Sequence, residues 1–240
     1  MIFWPLLSLF NAFNPSKAAK VVDLPQEFNQ SVEIVLETPI EIFIDLTLCI
    51  RFKLERESMS EYRTLFETKT SFFLEFDGFT DVGFFYLDEG ISLIFTLPQN
   101  VLHPNHWNHL CISVNDTNYK VVGNGNLWFE GNHGIQDVTQ VVQVFELGGD
   151  GPYNYETKFV GSISELNLWS TSLSLMEMKS ISVSCGAPSV IPDLVQWNQF
   201  NIIGTAKGNF SAKFQTNLKF WDQEFLARKF KYSELFFLFF

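Results

Sequence analysis

Apolar and polar residues alternate along much of this chain. In "LTLCIRFKLE", Leu46, Leu48, Ile50, Phe52 and Leu54 share one face, and Thr47, Cys49, Arg51, Lys53 and Glu55 share the other. That is the period of two that a β-strand imposes. "HLCISV" repeats the pattern, with Leu110, Ile112 and Val114 expected inward and His109, Cys111 and Ser113 outward. The same habit marks "SVEIVLE", "FFLEF", "ISLIFTL", "NLWFEG", "VVQVFELG" and "SISELNLW". Turn chemistry separates these runs at Asp77-Gly78, Pro98 with Asn100, Gly123-Asn124-Gly125, Gly131-Asn132 and Gly148-Gly149. Many short strands punctuated in this way predict an all-β antiparallel sandwich. One helix is expected in "SLSLMEMKSIS": Ser174 as N-cap with Glu177 three residues on forms a capping box, and Leu175, Met178 and Ile181 recur at helical spacing. The methionines there read as core packing.

Composition narrows the class. The 240 residues suffice for one sizeable core, and 46% hydrophobic with 18% charged residues is a globular balance. The 27 phenylalanines favour pleated, half-buried surfaces. A net charge of −11 repels phosphate backbones and argues against nucleic acid as a partner. The opening "MIFWPLLSLFNAFNPSKAAK" resembles a signal peptide over residues 1–18, cleaved near Ala18, although it lacks a positive start; a buried first strand is the alternative. Sequons at Asn29, Asn115 and Asn209 agree with secretion and glycosylation. No apolar run reaches the roughly 20 residues of a membrane span. A sandwich domain is expected over 19–205. After Gly204 the texture changes, and residues 206–240 read as a C-terminal tail, either loosely docked or helical with Trp221, Phe225, Leu226 and Phe230 on one side.

Cys49 and Cys111 fall on the same side of their strands by parity. If the strands are neighbours, the sulfurs can meet, and secretion permits the bridge; otherwise both are free thiols. Cys185 is left over, to be buried, reactive or paired with another subunit.

At these residues a family resemblance emerges. His109-Leu-Cys111-Ile-Ser113 is similar to the pentraxin signature His-x-Cys-x-Ser/Thr-Trp-x-Ser/Thr, departing at Val114 and Asp116. "LTLCIRF", "NLWFEG", "FVGSISELNLWSTSLS" and "LVQW" resemble further pentraxin strands in the same order, over roughly residues 20 to 200. The resemblance, to pentraxins within the laminin-G and concanavalin-like group, implies a jelly-roll β-sandwich and a Cys49–Cys111 disulfide. It also implies calcium-mediated binding of carbohydrates or phosphate-bearing head groups, sometimes by a homo-oligomer.

The calcium ligands of that family are mostly replaced here. Asp150 in "LGGDGPYNYETKFVG" stands where an acid is expected, but Gly151 and Pro152 replace an amide and a carboxylate. Asn154 and Thr157 fall near the later acid and amide, and Ser71 and Phe72 stand where an Asp-Asn pair is expected. Asp150, Asn154 and Glu156 remain as a weak calcium set; a Gly-rich turn with local side-chain bonds is the alternative, and it is favoured. The family's two-ion site is therefore not intact.

Other chemistry is poorly supported. His103, His106 and His109 invite a zinc reading, yet Pro104 breaks a helical face and strand parity separates the last two. Glu75, Asp77, Asp81 and Asp88 can be imagined as a glycosidase pair, but solvated strand edges account for them more simply. No nucleophile elbow, P-loop or dinucleotide fingerprint occurs, and no enzyme is expected. Two functions stay in contention. The first is a secreted pentraxin-like recognition domain for carbohydrate or head-group ligands. The second is a laminin-G-like adhesion module that binds proteins and has no small-ligand site.

Overall fold

The computed structural model describes residues 21–24, 32–55, 62–70, 72–77, 81–88, 91–135, 138–148, 159–184 and 190–203. The expected signal segment, the tail, Asn29, Asn209, Cys185, Ser71, Asp150, Asn154 and Glu156 lie outside them.

The alternating runs fold as expected, into two antiparallel sheets. One has six strands, in the order β1 (Val22–Leu24), β12 (Gly161–Trp169), β3 (Leu46–Leu54), β8 (Trp107–Val114), β9 (Asn118–Gly123) and β10 (Asn126–Asn132). The other has seven: β13 (Asn201–Ile203), β2 (Val32–Phe43), β11 (Thr139–Leu147), β4 (Tyr62–Glu67), β5 (Phe73–Asp77), β6 (Val82–Asp88) and β7 (Ile91–Thr96). With one short helix, α1 (Leu175–Val183), this is the jelly-roll sandwich that the sequence implied.

The inward sets of both sheets form one core. Leu48, Ile50 and Phe52 of β3 and Leu110, Ile112 and Val114 of β8 are fully buried in it. Phenylalanines supply much of the rest: Phe72 packs against Phe66 and Phe85 at ring separations of 5.6 and 5.3 Å, and Phe145 meets Phe200 at 5.3 Å. Asn124 and Gly125 carry the positive φ values, 48° and 78°, of the tight β9–β10 hairpin, at the place where the sequence carries turn chemistry. Gly161 is required by contact, because a Cβ there would lie 1.9 Å from the Lys53 carbonyl oxygen.

One expectation fails in an informative way. The polar sides of β3 and β8 do not face solvent: Thr47, Cys49, Arg51, His109, Cys111 and Ser113 are all buried. The chain from Ser170 to Ser184 lies over them. Met178 and Ile181 of α1, with Leu173, Trp169 and Val122, form a second apolar cluster around the two cysteines. The capping box is present, with the Glu177 amide donating to Ser174 Oγ (3.3 Å) and the Ser174 amide to the Glu177 carboxylate (2.8 Å). Thr47 Oγ1 and Ser113 Oγ bond the backbone of Thr171 and Leu173 and so anchor the approach to the helix.

Candidate ligand-binding cleft

Where the strand ends of the two sheets part, a cleft of about 570 Å³ opens. Its floor is apolar, made by Leu54, Phe76 and Leu97, all almost fully buried. Its polar groups are Arg63, Asp77, Asp81, Gln99, Asn100 and His103. An apolar floor with a few convergent polar groups, at this volume, is the usual build of a small-ligand site.

The segment Pro98–Pro104 forms one wall and is held mainly through its backbone. Fully buried Asn108 accepts from the His103 amide (3.1 Å) and donates to the His103 and His106 carbonyls (both 3.1 Å). Asn124 donates to the Val101 carbonyl at 3.1 Å. The Leu97 amide donates to the Asp81 carbonyl (2.6 Å), and the Asn105 amide to that of Leu54 (2.7 Å). Asp81 and Asn100 have φ of 53° and 57°, left-handed values that Asp and Asn tolerate. A wall fixed this way is ready for a ligand without further ordering cost. In the sequence its residues read only as turn chemistry; Asn108 and Asn124 are the signal, visible once both are seen to face the same loop.

Beside the cleft, the outer face of the seven-stranded sheet is acidic. Register places Glu33, Glu146 and Glu67 opposite one another across β2, β11 and β4. On β5, Glu75 and Asp77 follow on the same face, with Thr64 opposite Glu75. These two acids correct the sequence reading, since they are not solvated edge residues. β5 is a central strand, and Glu75 is only 2% and Asp77 4% exposed. Burial, reinforced by the charges of Asp77 and Glu67, pushes the Glu75 carboxyl up to about 7. Asp81 is exposed at the cleft and Asp88 is half-buried at the end of β6. Next to the acids, Phe73 stacks on its cross-strand partner Tyr86 with ring centroids 3.8 Å apart.

The opposite outer face handles its charge differently. Arg51 Nε donates to Glu165 at 2.5 Å, and its Nη2 donates to the carbonyls of Ile181 (3.1 Å), Ser182 (3.2 Å) and Ser184 (2.5 Å). The arginine thereby satisfies the C-terminal end of α1, where the helix dipole favours a cation. Glu165 reaches it from an irregularity in β12, at a φ of 52°. His109, paired across the strands with Arg51, is held neutral: burial and the guanidinium push its pKa well below the usual imidazole range.

The remaining sequence candidates sort clearly. Cys49 and Cys111 are direct cross-strand partners and form the disulfide. With His109 they are the one cluster of metal donors among the described residues, but a disulfide lacks the thiolates a metal needs. The three histidines are not gathered: His106 is exposed and bonded to the Pro104 carbonyl, whereas His109 is buried under α1. Phe72, expected at a family calcium-ligand position, is instead a fully buried core residue. Asn115 sits in the β8–β9 turn, its Oδ1 accepting from the Thr117 amide (3.0 Å) and hydroxyl (3.3 Å), with Asp116 and Thr117 exposed.

A family model described as the concanavalin A-like lectin/glucanases superfamily matches residues 31–179. The chain belongs to that superfamily. Within it, this is a divergent, pentraxin-like member. The pentraxin fusion protein of Xenopus laevis is 27% identical over 151 residues, 56% of this chain and 34% of the relative, so the chain spans about a third of that protein. Among solved structures, a native heptameric SAP-like pentraxin from Limulus polyphemus shares the fold with a TM-score of 0.61 at 13% identity. That match covers 78% of this chain and 91% of the other. The receptor binding domain of botulinum neurotoxin D is similar at a TM-score of 0.50 and 14% identity, over 68% of this chain and 42% of that one. The lectin-like sandwich is a carbohydrate-binding type of domain in general. No helix among the described residues is long and apolar enough to cross a membrane.

Proposed function

We propose that this protein is a secreted recognition domain that binds the end of a carbohydrate chain in the cleft at the end of the sandwich. The observation that carries the reading is the cleft itself: about 570 Å³, an apolar floor, and acid, amide and guanidinium groups around it on a pinned wall. A sugar offers both surfaces that such a site matches. Its C–H face lies on Leu97 and Phe76, and its hydroxyls bond Asp81, Asn100 and Gln99. Binding one sugar this way is weak, and presentation of several copies, as in the oligomeric relative, would supply avidity.

The test is a glycan array followed by calorimetry on the hits, with Asp81→Gly, which keeps the left-handed backbone, and Gln99→Ala as cleft variants. Loss of binding in both, with unchanged melting, is expected. If no glycan is retained, or a retained glycan ignores both changes, the reading fails. Adhesion then becomes the better account. Exposed Phe43 and Val141, on one outer face of β2 and β11, are where a protein partner should be sought.

A further inference from the structure

Two open sheets end in four strand edges, and an edge presents backbone groups that another strand can join. Among the described residues, three of these edges are blunted. β1 and β13 are only three residues long, and β10 carries an irregularity between Leu127 and Phe129, the charge of Glu130, and Gly131. The edge of the seven-stranded sheet at β7 has none of these devices. Its six residues, Ile-Ser-Leu-Ile-Phe-Thr, hold no charge, no proline and no glycine. Ile94, near its middle, is 54% exposed.

Register fixes which way the free groups point. β7 pairs with β6 alone, with Phe84 opposite Ile94 and Phe85 opposite Leu93. The Ile94 carbonyl accepts from Tyr119 Oη of the other sheet at 2.5 Å, so it points away from β6. By the alternation of an antiparallel ladder, Ser92 and Thr96 turn their N–H and C=O the same way. Among the described residues, no backbone group bonds these three residues on that side. The Ile94 carbonyl keeps a second lone pair. Leu93 and Phe95 enter the core, so Ser92, Ile94 and Thr96 share the outer face.

We propose that β7 is the interface of a dimer, in which it pairs antiparallel with β7 of a second copy of this chain. The strand is self-complementary about Ile94. A twofold axis there sets the two Ile94 residues opposite each other and each Ser92 opposite a Thr96. Every outward N–H and C=O of the three residues then finds a partner. The side chains match as well, apolar against apolar and hydroxyl beside hydroxyl. Charge selects this edge for a second copy: two chains of net charge −11 repel, and they meet most cheaply where neither brings a charge. Pairing consumes the unblunted edge of each copy, so assembly closes at two. The contact is small, and the dimer is therefore weak and concentration-dependent. Leu97 and Gln99 of the cleft follow β7 directly. At about 3.4 Å per residue from Ile94 to Leu97 on each side, the joined sheet carries two clefts roughly 20 Å apart.

The experiment is sedimentation velocity of the full chain from micromolar to millimolar concentration, for wild type, Ile94→Lys, Thr96→Pro and Leu127→Lys. Ile94→Lys brings two ammonium groups together on the twofold axis. Thr96→Pro removes an outward N–H and spares the bonds to β6. Leu127→Lys adds the same charge to β10, where Leu127 is 40% exposed. Wild type and Leu127→Lys should share one monomer–dimer equilibrium, and each β7 variant should raise its dissociation constant about tenfold or more. All three changed side chains are exposed, and unchanged melting serves as the folding check. Where one β7 variant misfolds, the other decides. A wild type that stays monomeric at millimolar concentration overturns the proposal and leaves the edge to a strand of another protein. So does a dimer that survives in a folded β7 variant, one that is lost with Leu127→Lys, or growth to larger species. None of these results depends on whether the cleft binds sugar.

Discussion

The two outer faces of this sandwich treat buried charge in opposite ways. Under α1, Arg51 is enclosed but matched on several sides, by Glu165 and by helix carbonyls, and His109 avoids charge altogether. On the other sheet, Glu75 is equally enclosed, yet Asp77 and Glu67 beside it add to its charge instead of offsetting it. Compensated charge glues a helix to a sheet. A buried acid whose neighbours raise its pKa is a cost to stability instead.

Breaking the compensated face should give the largest effect. Replacing Cys49 and Cys111 together by alanine opens a loop with a sequence separation of 62. It should cost about 4 kcal/mol in the chain-entropy account, read as a lower urea midpoint. Arg51→Met should cost about 3 kcal/mol, the lower end for breaking a buried pair, because the Glu165 side chain keeps 14% of its surface exposed. Glu165→Gln combined with Arg51→Met should recover part of that loss, since no unpaired acid then remains.

The acidic face should respond with the opposite sign. Glu75 has a folded pKa near 7 against an ordinary 4.5, so the native state holds the proton more tightly. The Glu75 contribution to stability should therefore be full below pH 4.5 and be lost as pH rises to 7. Glu75→Gln should remove that slope, raising stability by about 3 kcal/mol at pH 8 and by almost nothing at pH 4.5. An equal gain at both pH values would mean that packing, not charge, makes Glu75 unfavourable. His109 contributes the reverse slope: its folded pKa is depressed, so its contribution should be lost as pH drops below about 6.5, and His109→Gln should remove that part of the pH dependence. The smallest effect belongs to Ser174→Ala, which removes the N-cap of α1 and should cost about 1 kcal/mol.

What could be read from the sequence was whatever local spacing fixes. Strand parity placed Leu48, Ile50 and Ile112 in the core, Ser174 and Glu177 declared the helix start, and Gly123-Asn124-Gly125 declared a turn. Parity also aligned Cys49 with Cys111, though only the resemblance made the strands neighbours. Parity could not say what lies on the far side of a strand. Arg51 and His109 read as solvent-facing because the residues that bury them come from Thr171 to Ser184, far along the chain. Glu75 read as an edge acid although β5 lies between β4 and β6, its neighbours in sequence; alternation in one strand does not show what covers its outer face. The cleft was invisible for the same reason, since its floor and wall come from separate strands and turns.

The wall of the cleft is gripped by Asn108 and Asn124 through main-chain atoms of Val101, His103 and His106. Its fold thus depends little on the side chains it turns to solvent. Exposed position 99 can be rewritten while the two asparagines stay, with Val101 and Leu102 kept apolar against the core and position 100 kept as Asn or Gly to suit its left-handed backbone. Such an arrangement favours divergence: ligand preference can drift between relatives by exchange of wall residues, with little penalty to folding. It equally offers a short, rigid segment for grafting new specificities onto the sandwich.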